Sequence, residues 1–314
     1  MKSIALVIPY FGKFNNYFNL WLRSCANNPS ITWLIFTDID PEKYSGFVPP
    51  NVVFINTTFG EVKKRIQSLF DFEISLDSPY KFCDFRPAYG EIFQKELQAF
   101  DFWGHCDCDM IFGNIRNFVT DEILDKYDRI YSRGHLSIYR NSPHVNSFYR
   151  LENNIGVSYK KVLQSGKSYS FDEWGGVSRL WDAYAKDKFY DKIDFDDISV
   201  KYKHFESYQK VFQKFDGEPK KWVYFSFSKD GLTRVSKNDK TQTCYVHFQK
   251  RNMQVSKDIF PECKEFIMVP NKFLPKDAIK NKISQFLLCR KRIIYPQFLK
   301  LKFKNLLKRL RSKH

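Results

Sequence analysis

Apolar residues in the first half of the chain come in short continuous blocks divided by polar, turn-forming residues. "SIALVIPY" predicts a buried strand, "KFNNYFNLWLRSCANN" a helix with an apolar stripe, "ITWLIFTD" a second strand and "NVVFINTT" a third. Residues 59 to 70 and about 87 to 100 predict further helices, and "DRIYSRGHLSIYRN" a strand pair. Strand, helix and strand in repetition imply an α/β fold with parallel strands in a doubly wound sheet, which binds ligands at the carboxyl ends of its strands. Two of those ends are candidate contacts: Pro9, Tyr10 and Phe11 after the first strand, Thr37 and Asp38 after the second.

Beyond about residue 165 the pattern loosens. "SFDEWGGVSRLWDAYAKD" predicts a loop and then a helix, and 189–243 is mixed, with a β-hairpin around "KWVYFSFSKDGLTRVSKND". The expected organisation is a ligand-binding half over 1–165, a second half over 166–271 and a tail over 272–314.

The tail has its own periodicity. In "QFLKLKFKNLLKRLRSKH", Leu299, Phe303, Leu306 and Leu310 recur at the spacing of one helical face, while Lys300, Lys304, Lys308 and Arg311 fall largely on the other. Charge sharpens the picture. Of the net +16, residues 272–314 carry +13, with fourteen Lys and Arg against Asp277 alone. The body is nearly neutral, which argues against a nucleic-acid partner. A basic amphipathic helix suits the headgroup plane of an anionic membrane, at roughly 1 kcal/mol per basic residue near the surface. The bland alternative is a terminal helix packed on the body with its basic face in water.

The remaining composition sets limits. The 314 residues are enough for one large domain or two lobes sharing a cleft. The 32 Phe, 18 Tyr and 6 Trp supply core volume, and also ring faces on which a base or sugar can stack. Seven scattered cysteines (25, 83, 106, 108, 244, 263 and 289) and the absence of a cleavable leader read as reduced thiols of a cytoplasmic protein. No run of 18 apolar residues occurs, so no helix is expected to span a bilayer.

The chemistry concentrates in "FDFWGHCDCDMIFGNI", residues 100 to 115. In an extended chain, residues two apart point the same way, which puts Asp107 and Asp109 on one face and Cys106 and Cys108 on the other. A cysteine zinc site would need distant partners such as Cys244 and Cys263, because no CxxC exists. Packed thiols are the simpler reading. Two aspartates at the mouth of a sheet are hard oxygen ligands suited to Mg²⁺ or Mn²⁺, which bind through one or two carboxylates plus phosphate oxygens. Neither GxGxxG nor GxxxxGK[ST] is present, so phosphate must be held in some other way.

The set "LVIPYFG", "IFTD", "CDFRPAYGEIF", "FWGHCDCDMIFGNI", "GHLSIYRN", "FDEW" and "HFQKRNM" resembles bacterial GT-A-type glycosyltransferases of capsule and lipopolysaccharide gene clusters, over about residues 1 to 255. The resemblance implies an Asp-x-Asp metal site at Asp107 and Asp109, completed by His247. It also implies that Arg86, Lys250 and Arg251 contact a nucleotide sugar, taken to be a UDP-sugar. An ordinary ion pair of Arg86 with Asp84 or Glu91 is the structural alternative. Asp172 and Glu173 in "FDEWGG" are the candidate catalytic acids, beside Trp174; a helix N-terminus that favours acids is the plain alternative. Only the His-x-x-Lys part of the ending typical of retaining members is present, which leaves inverting and retaining chemistry open.

The expected function is transfer of a sugar to a saccharide or lipid-linked acceptor at the inner face of the cell membrane. Two rivals stand beside it. A membrane-peripheral binding protein would act through its tail alone, and a metal-dependent nucleotidyltransferase or phosphohydrolase would need more acids near Asp107 and Asp109.

Overall fold

The computed structural model describes residues 1–314 except 45–46, 153, 174, 209, 212–213, 216–219, 222, 237–238, 260–262, 290–297, 301 and 305–314. The first sheet is built on β1 (Ile4–Pro9), β2 (Ile31–Thr37), β3 (Val52–Asn56) and β4 (Phe102–Cys106), all parallel in the order β3-β2-β1-β4. The chain then leaves through β5 (Met110–Phe112) for another sheet. It returns as β6 (Arg129–Arg133), β7 (Leu136–Arg140) and β8 (Phe189–Tyr190), which extend the first sheet beyond β4 in the order β7-β6-β8. The predicted strand pair is the antiparallel β6–β7 hairpin, with β7 antiparallel to β4.

Alternate residues of β1 feed two separate cores, which is why the strand reads as continuously apolar. Ile4, Leu6 and Ile8 join Trp21, Trp33 and Phe112 on one face, while Ala5 and Val7 join Phe85, Tyr89 and Phe93 on the other. Helix α1 (Phe18–Ala26) covers the first face, and α2 (Phe59–Gln67) with the helical turns of residues 82–97 covers the second. α2 starts at a capping box between Thr58 and Glu61. The doubly wound expectation therefore holds. The predicted helix over 87–100 is broken into short turns, Arg86–Ala88, Tyr89–Ile92 and Gln94–Leu97, with Phe93 between the last two outside the helical region at φ −109° and ψ 25°. Gly104 lies where β4 passes closest to β7: a Cβ there would stand 2.4 Å from the Ser137 carbonyl oxygen.

The second half is mainly antiparallel. β9 (Asp196–Ile198) and β10 (Glu206–Tyr208) are followed by the small pair β11 (Lys210–Val211) and β12 (Lys214–Phe215), then by β13 (Lys220–Lys221). β14 (Tyr224–Ser228) and β15 (Gly231–Val235) form the predicted hairpin, continued by β16 (Lys240–Gln242). The chain ends its sheets with β17 (Tyr245–His247), β18 (Gln254–Val255), β19 (Phe266–Val269) and β20 (Lys272–Pro275). Two sheets result, ordered β13-β10-β9-β17-β5 and β16-β15-β14-β19-β20-β18. β5 thus ties the Asp107–Asp109 turn to the second half.

The helix Lys282–Cys289 packs Cys289 and Leu288 on Ile267 and Val269, and leaves Ile283, Phe286 and Leu287 exposed. Leu299 and Phe303 are exposed as well, whereas Leu306, Lys308, Leu310 and Arg311 lie outside the described residues. No helix among the described residues is long and apolar enough to cross a membrane.

Candidate functional site

The parallel strands β1 and β4 end at an open cleft of about 1160 Å³. Its wall contains Pro9, Tyr10 and Phe11 from the end of β1, Tyr80 and Arg86 from the helical turns, and Asp107 and Asp109 from the turn after β4. Asp172, Glu173, Asp197, His247 and Lys250 come from the rest of the chain.

The Asp107–Asp109 turn is held at its backbone. The Asp107 N–H donates to the His135 carbonyl (3.1 Å), the Trp21 indole to the Asp107 carbonyl (3.3 Å), the Asn15 amide to the Cys108 carbonyl (2.6 Å) and the Phe248 N–H to the Asp109 carbonyl (2.9 Å). The expected alternation is present. Cys106 and Cys108 pack in the core beneath, where burial raises both thiols well above their usual range, while the two carboxylates face the cleft. Neither of the two groups of three possible metal ligands among the described residues includes a cysteine.

The first such group is Asp107, Asp109 and His247, with one ligand atom from each lying within 4.8 Å of the others. His247 Nε2 stands 3.4 Å from Asp109 Oδ1 and 3.8 Å from Asp107 Oδ2. Two donors on one Mg²⁺-like ion lie about 3 Å apart when adjacent and about 4 Å when opposite, so the set fits a divalent cation with room for outer ligands. Burial raises the Asp109 carboxyl, but His247 and the Lys250 N–H outweigh it and hold the group at about 2. Burial likewise opposes charge on His247, yet Asp109 and Asp197 raise it well above its ordinary value.

Arg86 is the second organising cation. One guanidinium nitrogen donates to the Gly134 carbonyl (2.6 Å) and to Asp172 (2.8 Å), and the other donates to Asp107. The alternative partners are engaged elsewhere: Asp84 accepts from Lys81 and from the N–H groups of Tyr169 and Phe171, and Glu91 from Arg150 and Tyr149. Asp172 is pushed up to about 7 by burial, with Arg86 opposing and Glu173 adding to the rise. The two acids close over Gly134, where a Cβ would stand 2.7 Å from Glu173 and 2.8 Å from Asp172. Trp174 lies outside the described residues.

Not every expected contact reaches the cleft. Thr37 is fully buried, its hydroxyl accepting from the Ile39 N–H, and Asp38 points into solvent; neither is among the cleft residues. Arg251 borders the cleft, but its guanidinium is spent on the carbonyls of Ser199, Tyr202 and Lys203 and on Asn271. It clamps the 199–203 loop rather than offering charge to a ligand. Lys250 stays on the wall, its ammonium 4.5 Å from the Tyr80 ring centre.

Two residues were not anticipated. Asp197 stands beside His247, an acid of the kind the nucleotidyltransferase rival would need, and His135 stacks on the His247 ring at 4.4 Å. Both belong to the second possible ligand group, with His247. Their only sequence signals were an acidic run, "DFDD", and a histidine inside "GHLSIYRN".

The model of a family of unknown function, DUF6625, matches residues 6–277. No curated protein sequence matches the chain significantly. Among solved structures, mouse xyloside xylosyltransferase 1 in its apo form is similar at 9% identity and a TM-score of 0.37, over 63% of this chain and 88% of that one. The glycosyltransferase GlyE of Streptococcus pneumoniae TIGR4 is similar at 12% identity and a TM-score of 0.32, over 62% of this chain and 45% of that one.

Arg86 lends itself to a direct test. Removing one partner of a buried ion pair costs about 3–5 kcal/mol, and Arg86→Ala strands both Asp107 and Asp172. Urea denaturation of Arg86→Ala is expected to show a loss of that order, with Arg86→Lys in between because an ammonium lacks the two-armed reach. A loss below about 1 kcal/mol, the scale of an exposed pair, rules out the compensating role.

Proposed function

The chain belongs to that family of unknown function, and we propose that it is a metal-dependent glycosyltransferase of GT-A-like architecture. It moves a sugar from a UDP-sugar to a saccharide or lipid-linked acceptor in bacterial surface polysaccharide synthesis. The observation that carries this reading is the convergence of Asp107, Asp109 and His247 beside Arg86 and Lys250, at the carboxyl ends of parallel strands. The motif resemblance supports the choice of donor and setting. Residues 1–165 form the donor half, and 166–271 bring in the acceptor side.

Asp107, Asp109 and His247 would hold a Mn²⁺ or Mg²⁺ ion, which would supply positive charge to a departing diphosphate. The protein's own groups do the rest. Pro9, Tyr10 and Phe11 line the donor end, and Lys250 extends positive charge along the wall. Asp172 and Glu173, across Arg86 from the ligand cluster, face the acceptor side. In an inverting reaction Asp172 takes the proton of the attacking hydroxyl, and a group titrating near neutrality suits that task. In a retaining reaction the pair binds sugar hydroxyls.

Heat denaturation with UDP and Mn²⁺ together is expected to raise the midpoint by on the order of 5 °C at a hundredfold excess over the dissociation constant. Asp109→Ala abolishes that rise and transfer while folding normally, and Cys106→Ser with Cys108→Ser keeps most activity. Zinc that travels with the protein and is lost from the cysteine pair of variants would sink the reading.

Asp172→Asn should depress kcat far more than donor KM and remove a rise in rate as pH increases through about 7, since the carboxyl accepts a proton only when ionised. Wild-type activity in both Asp172→Asn and Glu173→Gln would strip the pair of this role.

The tail docks the enzyme on the anionic cytoplasmic leaflet, where lipid-linked acceptors reside. Ile283, Phe286, Leu287, Leu299 and Phe303 offer exposed apolar groups among basic ones. Leu299→Glu with Phe303→Glu should abolish flotation with phosphatidylserine vesicles and leave transfer to a short soluble acceptor unchanged. Full-length protein that ignores such vesicles at low salt would end the membrane assignment.

A further inference from the structure

We infer that Asp197 is a positioning residue for His247, fixing the imidazole so that Nε2, and not Nδ1, faces Asp107 and Asp109. The inference rests on the metal site proposed above and deepens it.

The register of the second sheet creates the contact. β17 pairs with β9 in parallel, with His247 opposite Asp197, and pairs antiparallel with β5, with His247 opposite Met110. Paired residues on neighbouring strands project to the same face, so imidazole and carboxylate emerge side by side. His247 Nδ1 lies 2.9 Å from Asp197 Oδ1. The other oxygen, Oδ2, accepts from the Gln249 amide at 2.7 Å. Both oxygens of Asp197 therefore have donors, and the carboxylate cannot turn without losing one.

The ring is held from a second direction as well. His135 stacks on it with planes 29° apart, and His135 Nδ1 is itself hydrogen-bonded to the Tyr245 hydroxyl at 3.0 Å. Gln249 reaches Asp197 from a strained turn, since Gln249 and Lys250 both adopt the left-handed region at φ 49° and 59°. The same turn sends the Lys250 N–H to Asp109. One backbone distortion thus serves the carboxylate behind the histidine and a carboxylate in front of it. A metal-ligating histidine whose other nitrogen donates to a carboxylate has its tautomer and orientation set by that partner, and losing such a partner costs 10–100-fold in metal affinity.

The competing arrangement uses His135, Asp197 and His247 as ligands. It requires a cation to take the place of the proton between His247 Nδ1 and Asp197 Oδ1, and it brings one carboxylate to the cation where the first arrangement brings two.

The test measures Mn²⁺ binding to the full chain by electron paramagnetic resonance of the free ion, for wild type, Asp197→Ala, Asp197→Asn and Asp109→Ala. Ring-nitrogen NMR of His247 is recorded on wild-type protein loaded with Cd²⁺. Asp197→Ala is expected to bind Mn²⁺ roughly 10–100-fold more weakly. Asp197→Asn should restore most of the affinity, because its amide oxygen still accepts from Nδ1–H. Cadmium should appear on Nε2 with the proton on Nδ1. Wild-type affinity in Asp197→Ala, with binding lost in Asp109→Ala, overturns the positioning role and leaves the metal site standing. Cadmium on Nδ1 overturns it in favour of the second ligand group. Unchanged binding in Asp109→Ala removes the metal site itself. If Asp197→Ala does not fold, the Asn variant and the wild-type ring nitrogens decide.

Discussion

Mutual repulsion among carboxylates is the constraint around which the cleft is built. Asp107, Asp109, Asp172, Glu173 and Asp197 all line it. Two like charges 4 Å apart cost about 4 kcal/mol at the effective dielectric of a protein surface, so such a group needs cations between its members. Arg86 stands between Asp107 and Asp172, and His247 stands between Asp197 and the aspartate pair. Burial and repulsion then divide the acids. Asp109, held by His247 and a backbone N–H, is driven down, whereas Asp172, buried beside Glu173, is driven up in spite of Arg86. One crowded cleft thereby holds one aspartate driven down and another driven up.

The path of the chain explains how residues so distant in sequence come to share that cleft. After β4 the backbone turns through Asp107–Asp109 and enters β5, exchanging the first sheet for the second. β5 pairs with β17, and β17 with β9, so strand register sets Asp197 beside His247 and Met110 opposite it, which brings the turn residue Asp109 up to His247. The mouth of the parallel sheet faces the same space because the turn leaves β4 at its carboxyl end. Beneath it, Tyr10, Phe14, Phe18 and Trp21 stack in succession, at ring separations of 4.3, 3.8 and 5.1 Å, and support the turn from below.

Local patterns conveyed the first half of the molecule well. Continuous apolar strands, the β6–β7 pair and the alternation of Asp107 and Asp109 against Cys106 and Cys108 each depend on neighbours within a few residues. Misreadings arose where the decisive partner is remote. Thr37 and Asp38 end a parallel strand as expected, but the Thr37 hydroxyl turns to its own loop instead of the cleft. Arg251 sits one residue from Lys250 in a cationic cluster, yet three carbonyls of the 199–203 segment claim its guanidinium. Asp197 carried only the signal of an acidic run, because its meaning depends on facing His247 across a strand pair. The acidic run around it equally suits a solvated turn.

Charge placement bears on which chemistry the cleft favours. A Gly-rich loop neutralises phosphate with backbone N–H groups; this chain has none, and its sheet mouth presents carboxylates instead. The proposed reading has such a mouth receive a diphosphate together with a divalent cation, whose charge offsets the carboxylates. The nucleotidyltransferase rival gains Asp197 as a third nearby acid. That acid meets His247 at Nδ1 and the Gln249 amide, whereas Asp109 meets His247 at Nε2, so the two carboxylates stand at different nitrogens of the ring. Charge is thus divided along the chain: the body balances its carboxylates with cations to near neutrality, while residues 272–314 carry +13.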